Sequence, residues 1–308
     1  MASDANPEEG GPVSTFRTVV EGLSFPECPR WHDGRLWFSD FYANAVYSVG
    51  ADGTDLRVEA EVPQQPSGSG WLPDGRLLVV SMRDHKLVTV EPDGSLQEYA
   101  DLSGHVRGYP NDMVVDASGR AYVGEFGFDL MGGAPVDSAR LLCVEPDRTV
   151  RVAAEDMLFP NGSVITDDGR LLVCETFGNR VAAFDIDAEG GLGNRRLFAD
   201  FGPAPEATDL AQALAQLVVG ADGCCLDAEG ALWVADSVGG RVIRVLADGT
   251  IERSLEPGIG VFACMLGGED GRTLFLCAAP DFHEEARKAA REGKILALDV
   301  EVPHAGLP

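Results

Sequence analysis

HDGRLWFSD at residues 32–40, PDGRLLVVS at 73–81, ASGRAYVGE at 117–125, DDGRLLVCE at 167–175, AEGALWVAD at 228–236 and EDGRTLFLC at 269–277 are six copies of one pattern. Each is a polar turn holding a glycine, followed by an apolar run of strand-forming residues. The turn glycines, Gly34, Gly75, Gly119, Gly169, Gly230 and Gly271, are 41, 44, 50, 61 and 41 residues apart. A glycine turn between two such runs is a hairpin signal, because glycine accepts positive φ. Each run is followed by a polar turn and a second run: NAVYSVGADG, KLVTVEPDG, RLLCVEPD, NRVAAFDID, GRVIRVLADG and KILALDV. A repeat therefore supplies about four short strands, the content of one propeller blade. The expectation is an all-β, six-bladed β-propeller with four antiparallel strands per blade.

The last repeat ends on its third strand, 294–300, and lacks an outer one. The segment 14–20 (STFRTVV), ahead of the first repeat, can supply it, so the two chain ends are expected to pair. This divides the chain into an acidic disordered tail (1–13), the propeller (14–302) and a short C-terminal tail (303–308). Strands are named A to D from the axis outward. Turns joining A to B then lie on one face, and loops joining B to C return to the face where A begins. Two of these B–C loops are long, 126–138 and 279–293. The second is rich in helix formers, with Asp281 as a candidate cap. Long loops gathered on one propeller face commonly shape a binding site. The insert 203–217, which accounts for the longest spacing, is expected to form a short helix before strand A of the fifth repeat.

The 308 residues carry 24 Lys+Arg against 50 Asp+Glu, a net charge of −26. Most of this reads as a solvated acidic surface. The same field repels phosphate backbones, so nucleic acid is not an expected partner. No apolar run reaches the ~18 residues that a membrane helix needs, and MASDANPEEGG at the N-terminus lacks a signal-peptide pattern. The seven cysteines are odd in number and most sit in apolar runs, which suits a reduced, cytoplasmic setting. Oligomeric state is left open.

Aligning the repeats on their turns exposes one slot at the start of strand A. Asn111, Asn161, Asp222 and Ala263 each lie seven residues before the residue preceding the turn glycine. Ser67 shares that offset, and Glu27 is one residue closer. In the sixth repeat the slot falls on Phe262 or Ala263. Inner strands line the channel, so these positions converge on the axis. Glu27, Asn111, Asn161 and Asp222 would bring two carboxylates and two amides together, without imidazole or thiolate. That set suits a hard divalent cation, Ca2+ first, with Mg2+ or Mn2+ as alternatives; Zn2+ is kept open as well, without support from the donor set. Taken singly, Asn-Gly and Asp-Gly are also ordinary turns; the shared register is what carries the reading.

The chain resembles the SMP-30/gluconolactonase/regucalcin-like propellers over residues 15–302. The resemblance rests on Glu27 in PECPRW, Asn111-Asp112 in YPNDMVVDASGR, Asn161-Gly162 in FPNGSVITDDGR and Asp222-Gly223 in GADGCCLDAEGALWVA. It implies that Glu27, Asn161 and Asp222 hold one divalent metal and that Asn111 faces metal and substrate. It also implies hydrolysis of small lactones, typically aldonolactones such as gluconolactone. For the substrate it points to Arg107, although the family's arginine commonly stands nearer the asparagine, and to an acidic residue that is either Asp129 or Glu125. On this reading Asp222 is the candidate base and Glu27 a structural ligand. No Gly-x-Ser-x-Gly elbow or phosphate loop competes with it. His105, His283 and the Cys224-Cys225 pair read as loop or packing residues. Asp40, Glu125, Glu175 and Asp236, at the ends of the B strands, either add negative potential or cap turns. The alternatives are another electrophile at the same site (an ester, organophosphate or epoxide) or a non-catalytic metal-binding propeller. The latter would show an apolar rim patch, for which Phe126, Phe128 and Phe282 are candidates, although they equally suit a lid over an apolar part of a substrate.

Overall fold

A computed structural model of the chain describes residues 15–308. Six antiparallel sheets follow one another around an axis. Their inner strands are Pro26–His32, Pro66–Trp71, Pro110–Val115, Pro160–Ile165, Ala221–Asp227 and Gly260–Gly267. Consecutive strands pair in order within the first five blades. In the sixth, Arg17–Leu23 from the N-terminal side pairs with Gly293–Asp299, Val20 facing Ile295 and Leu23 facing Gly293. This is the expected closure, shifted a few residues along the chain. The proposed tail 1–13, and Ser14, lie outside the described residues.

Burial follows position in the blade. Every residue of the inner strand Pro110–Val115 is buried, because a neighbouring blade covers each of its faces. The outer strand Ile251–Leu255 has no fully buried residue. The packed layers between blades hold the large side chains Trp233, Tyr122, Phe38 and Phe275, each almost fully enclosed. All seven cysteines are buried and free. No helix among the described residues is long and apolar enough to cross a membrane.

A second device recurs at the end of strand B. Asp40, Glu125, Glu175 and Asp236 are each 0% exposed. Asp40 accepts from the backbone N–H groups of Ser24 and Phe25, just ahead of strand A of its own blade. Asp236 does the same for Gly220, and Glu175 for Leu158. Glu125 accepts from Arg107, Gly108, Gly127 and Arg140. These loops cannot satisfy their own donors, and a buried carboxylate supplies the acceptors. Turn capping is therefore shared by these four groups, and Glu175 adds ion pairs to Arg180 and Arg195 and Asp236 one to Arg241.

Both inserts contain the expected short helices, Leu210–Ala215 and Glu284–Ala290. Asp281 is not the cap of the second; His283 holds that position, and Asp281 accepts from the His283 N–H and pairs with Arg287. The C-terminal segment is part of the fold. His304–Ala305 adds a fifth strand to blade five, against Leu226 and Asp227. Leu307 bridges to Ile165 of blade four, and the His304 N–H donates to Gly271 O of blade six. The chain end thus spans blades four, five and six on the face opposite the long loops.

Burial holds the His304 imidazole below its ordinary pKa, so the folded tail favours neutral histidine. The unfolded chain binds that proton more readily, and stability rises with pH across this range. The contribution is full above the ordinary pKa of ~6.5 and is lost as pH falls through it toward the lowered folded value. Protection factors at Ala305 and Leu307, with the intrinsic pH dependence of exchange divided out, should therefore fall between pH 7 and 5. In His304→Leu that fall should vanish; its persistence would assign the effect to other groups.

Candidate functional site

Every inner strand carries a bulge at the slot picked out by alignment. In blades one to five the strand-A residue paired with the last residue of strand B immediately precedes the slot. Pro26 faces Asp40, Pro66 faces Ser81, Pro110 faces Glu125, Pro160 faces Glu175 and Ala221 faces Asp236. A register shift follows in each case. A bulge places two residues opposite one and re-aims the side chains beside it. Glu27, Ser67, Asn111, Asn161 and Asp222 are the residues so placed, and blade six presents Phe262 to the same pocket.

The Asn-Gly and Asp-Gly pairs are not turns here. A Cβ on Gly162 would lie 2.6 Å from Asp222 O, and one on Gly223 would lie 2.4 Å from the Ala263 Cβ. These glycines let neighbouring inner strands pass close to one another. That close passage brings the adjacent slot residues together.

Glu27, Asn111, Asn161 and Asp222 form the floor of a pocket enclosing about 630 Å3 with its open mouth. All four are at least nine-tenths buried. Asn111 Nδ2 donates to Asn161 Oδ1 at 3.0 Å, and Ser67 Oγ donates to Asn111 Oδ1 at 2.9 Å. Asn161 Nδ2 donates to Thr176 Oγ1 at 3.2 Å, which in turn donates to Ala221 O at 2.8 Å. Thr176 thereby sets the flip of the Asn161 amide and leaves its oxygen toward the axis. Glu27 is fixed by the Cys28 N–H at 3.0 Å, and Ser237 and Asn161 reach the Asp222 carboxylate.

Charge is unevenly balanced. Burial, then the neighbouring Asp222 carboxylate, pushes the Glu27 carboxyl well above its ordinary range. Burial, reinforced by Asp112, does the same to Asp222, against the hydrogen bonds from Ser237 and Asn161. Arg30 is the nearby cation. Its guanidinium lies 2.5 Å from Asp112 and also donates to Ser69 O and Met113 O, joining blades one, two and three across the channel. Sequence reading passed over Arg30, whose only signal was its place in PECPRW, two residues past a buried-strand cysteine. With Arg30 matched to Asp112, two carboxylates are left without a counter-charge, beside amide oxygens. That donor chemistry fits a hard divalent cation. Among the described residues no group of three or more His, Cys, Asp or Glu side chains is placed to hold a metal, so the seat depends on the amides.

Three expected substrate contacts do not join this floor. Glu125 is enclosed and saturated by backbone donors, as described above. The exposed Arg107 guanidinium donates to Ser138 O and faces Glu155 at 3.6 Å, away from the pocket. Asp129 is exposed, accepts from the Gly132 N–H and lines an adjoining cavity with Arg83 and Tyr109. The walls instead are apolar, and of their residues the sequence pointed only to Phe126, Phe262 and Phe282. Phe25, Phe41, Phe126, Phe159, Phe177 and Phe262 rise from the floor, and Phe282, Leu130, Met131, Leu214 and Val238 complete the lining. Leu214 comes from the insert helix, which is tied to the loop 126–138 by the Val136 N–H to Thr208 O. The segment 279–293 is held by Tyr42 Oη donating to Phe282 O and by Arg83 paired with Glu284.

Thr176→Val would leave the Asn161 amide and Ala221 O without their partner, costing about 1–3 kcal/mol in denaturant unfolding. It should also weaken divalent-cation binding by roughly 10–100-fold, read by calorimetry. Unchanged affinity in a folded variant would show that the Thr176 bond does not orient a ligand.

Residues 25–280 match the family model described as SMP-30/Gluconolactonase/LRE-like region. A pentonolactonase of Haloferax volcanii is 29% identical over 87% of this chain and 86% of its own length. A 6-deoxy-6-sulfogluconolactonase of Pseudomonas putida is 25% identical over 96% of this chain and 98% of its own. Among solved structures, regucalcin of Agrobacterium tumefaciens, described as a calcium-binding protein, superposes with a TM-score of 0.76 at 21% identity, covering 96% of this chain and 97% of that one. With the family match running over most of the propeller, the chain belongs to the SMP-30/gluconolactonase/LRE-like family.

Proposed function

We propose that this protein is a divalent-cation-dependent hydrolase of small lactones, with Ca2+ the ion its donors suit best. The observation that supports the reading is the meeting of Glu27, Asn161 and Asp222 on a buried floor open to one pocket. The names of the two lactonase relatives agree with it.

Glu27, Asn161 and Asp222 would hold the cation, and when bound it polarises the ring carbonyl and stabilises charge developing on that oxygen. Asn111 would donate its second amide hydrogen to the same oxygen or orient the ring. Water attacks the carbonyl carbon while an Asp222 oxygen accepts its proton. The acyl C–O bond then breaks, the proton passes to the departing ring oxygen, and the product is the open hydroxy acid. Glu27, anchored by the Cys28 N–H, serves as ligand and is not asked to move a proton. The floor can serve any lactone carbonyl and does not itself select the aldonolactones that the family resemblance implies.

The non-catalytic alternative receives no support from the phenylalanines named for it. Phe126 and Phe128 are buried, and Phe126 and Phe282 line the pocket rather than forming a rim patch.

Chelator-stripped protein should open lactones only after a divalent ion is restored, as followed by acid release. Asp222→Asn should lower kcat by at least about 100-fold, the span of a general base, while calorimetry still detects the ion. Full turnover in that variant with the ion bound would remove Asp222 as the base.

A further inference from the structure

Given the lactonase reading, which this inference rests on, the pocket walls say what kind of lactone fits. Within this pocket the polar residues of the lining are Glu27, Asn111, Asn161, Asp222, Thr176 and Ser237, all at the floor, while past Met131 the adjoining cavity carries Arg83, Asp129 and Glu284. Several of the floor groups already have partners. Thr176 Oγ1 donates to Ala221 O, the Ser237 hydroxyl lies between Gly220 O and the Asp222 carboxylate, and Asn111 and Asn161 bond to one another.

Above the floor the lining is apolar on opposite sides of the axis. On one side Phe25 meets Phe262 edge-on at 4.8 Å and Phe41 at 5.6 Å. On the other, Phe126 meets Phe159 edge-on at 4.6 Å, and Phe159 lies over Phe177 at 6.1 Å. The mouth carries Met131 and Val238, which are 41% and 42% exposed. Large apolar side chains left open at the mouth of a pocket mark a place where an apolar ligand completes the burial.

A polyhydroxylated lactone is poorly matched to such walls. Its ring carbonyl could reach the floor, but its hydroxyls would face phenylalanine rings and lose their water without gaining partners. An alkyl or aryl arm would replace water against those rings at each carbon. We propose that the preferred substrates are lactones bearing an apolar arm, alkyl or aryl, with the ring carbonyl on the polar floor and the arm between the two phenylalanine groups toward Met131 and Val238.

The test compares rings of one size with different arms. Ca2+-loaded protein is given δ-valerolactone, δ-decalactone, 3,4-dihydrocoumarin and glucono-δ-lactone, with spontaneous opening subtracted. Burial of a methylene corresponds to roughly fourfold in binding, so several should show clearly. The expected result is a kcat/KM for δ-decalactone at least tenfold above that for δ-valerolactone and gluconolactone, with dihydrocoumarin, a more reactive phenol ester, serving as the control that the enzyme is active. The double variant Met131→Ser/Val238→Ser, at exposed positions that the fold tolerates, should lower kcat/KM at least fivefold more for δ-decalactone than for δ-valerolactone. Gluconolactone turned over as well as or better than δ-decalactone would overturn the apolar-arm proposal and leave the lactonase reading standing. Equal losses on both substrates in the double variant would also overturn it. No turnover of any of the four, with Ca2+ binding verified by calorimetry, would instead overturn the lactonase reading and this proposal with it.

Discussion

Six inner strands must converge on one axis, and the space they enclose is too narrow for bulk water. Any charge placed there has to be answered by another group. Glu27, Asp112 and Asp222 all stand in this space, and one guanidinium, Arg30, answers one of them. Its additional bonds to backbone carbonyls of blades two and three use its remaining donors, as a buried cation requires. The uncancelled pair then has two ways to be stable: it takes up a proton, or it takes up a cation. The upward push on both carboxyls is the first of these, and the seat proposed for the divalent ion is the second. The site and the stability of the closed ring are thus parts of one electrostatic balance.

The same chemistry serves a different purpose a short distance outward. Asp40, Glu125, Glu175 and Asp236 are as deeply buried as the floor carboxylates, yet each accepts from the loop ahead of its own inner strand, and Glu175 and Asp236 also pair with arginines. They hold the loop that delivers the slot residue. A carboxylate with several backbone N–H partners has little capacity left for a ligand, whereas Asp222, facing the pocket, keeps some. Saturation by donors, more than burial or charge, separates the structural acids from the candidate functional ones.

The pocket joins two environments that seldom meet. Its floor is polar and charge-rich, and its walls are phenylalanine. A low-dielectric wall strengthens the interaction of the floor with any charge that develops at the carbonyl. The insert helix and both long loops build the roof, so the elements that interrupt the repeat are those that shape the opening.

Much of this was legible in the chain itself. The repeat of glycine turns and apolar runs determined the six blades, because a strand pair with a tight turn is a local matter of side-chain period and φ. The shared offset of Asn111, Asn161 and Asp222 determined that they would meet, since equivalent positions of a closed ring face one axis. Glu27 looked one residue out of place only because the turn was the reference; counted from the bulge it is in register. What needed the tertiary structure was everything set by contact between distant segments. Arg30 meets Asp112 across 82 residues, and that pairing has no local signature. Glu125 and Asp129 are equally acidic in sequence, and only the packing of the loop 126–138 shows one saturated and the other in a neighbouring cavity. The C-terminal residues look like a free end until Leu307 is seen against Ile165, 142 positions away, where unpaired inner-strand groups receive it.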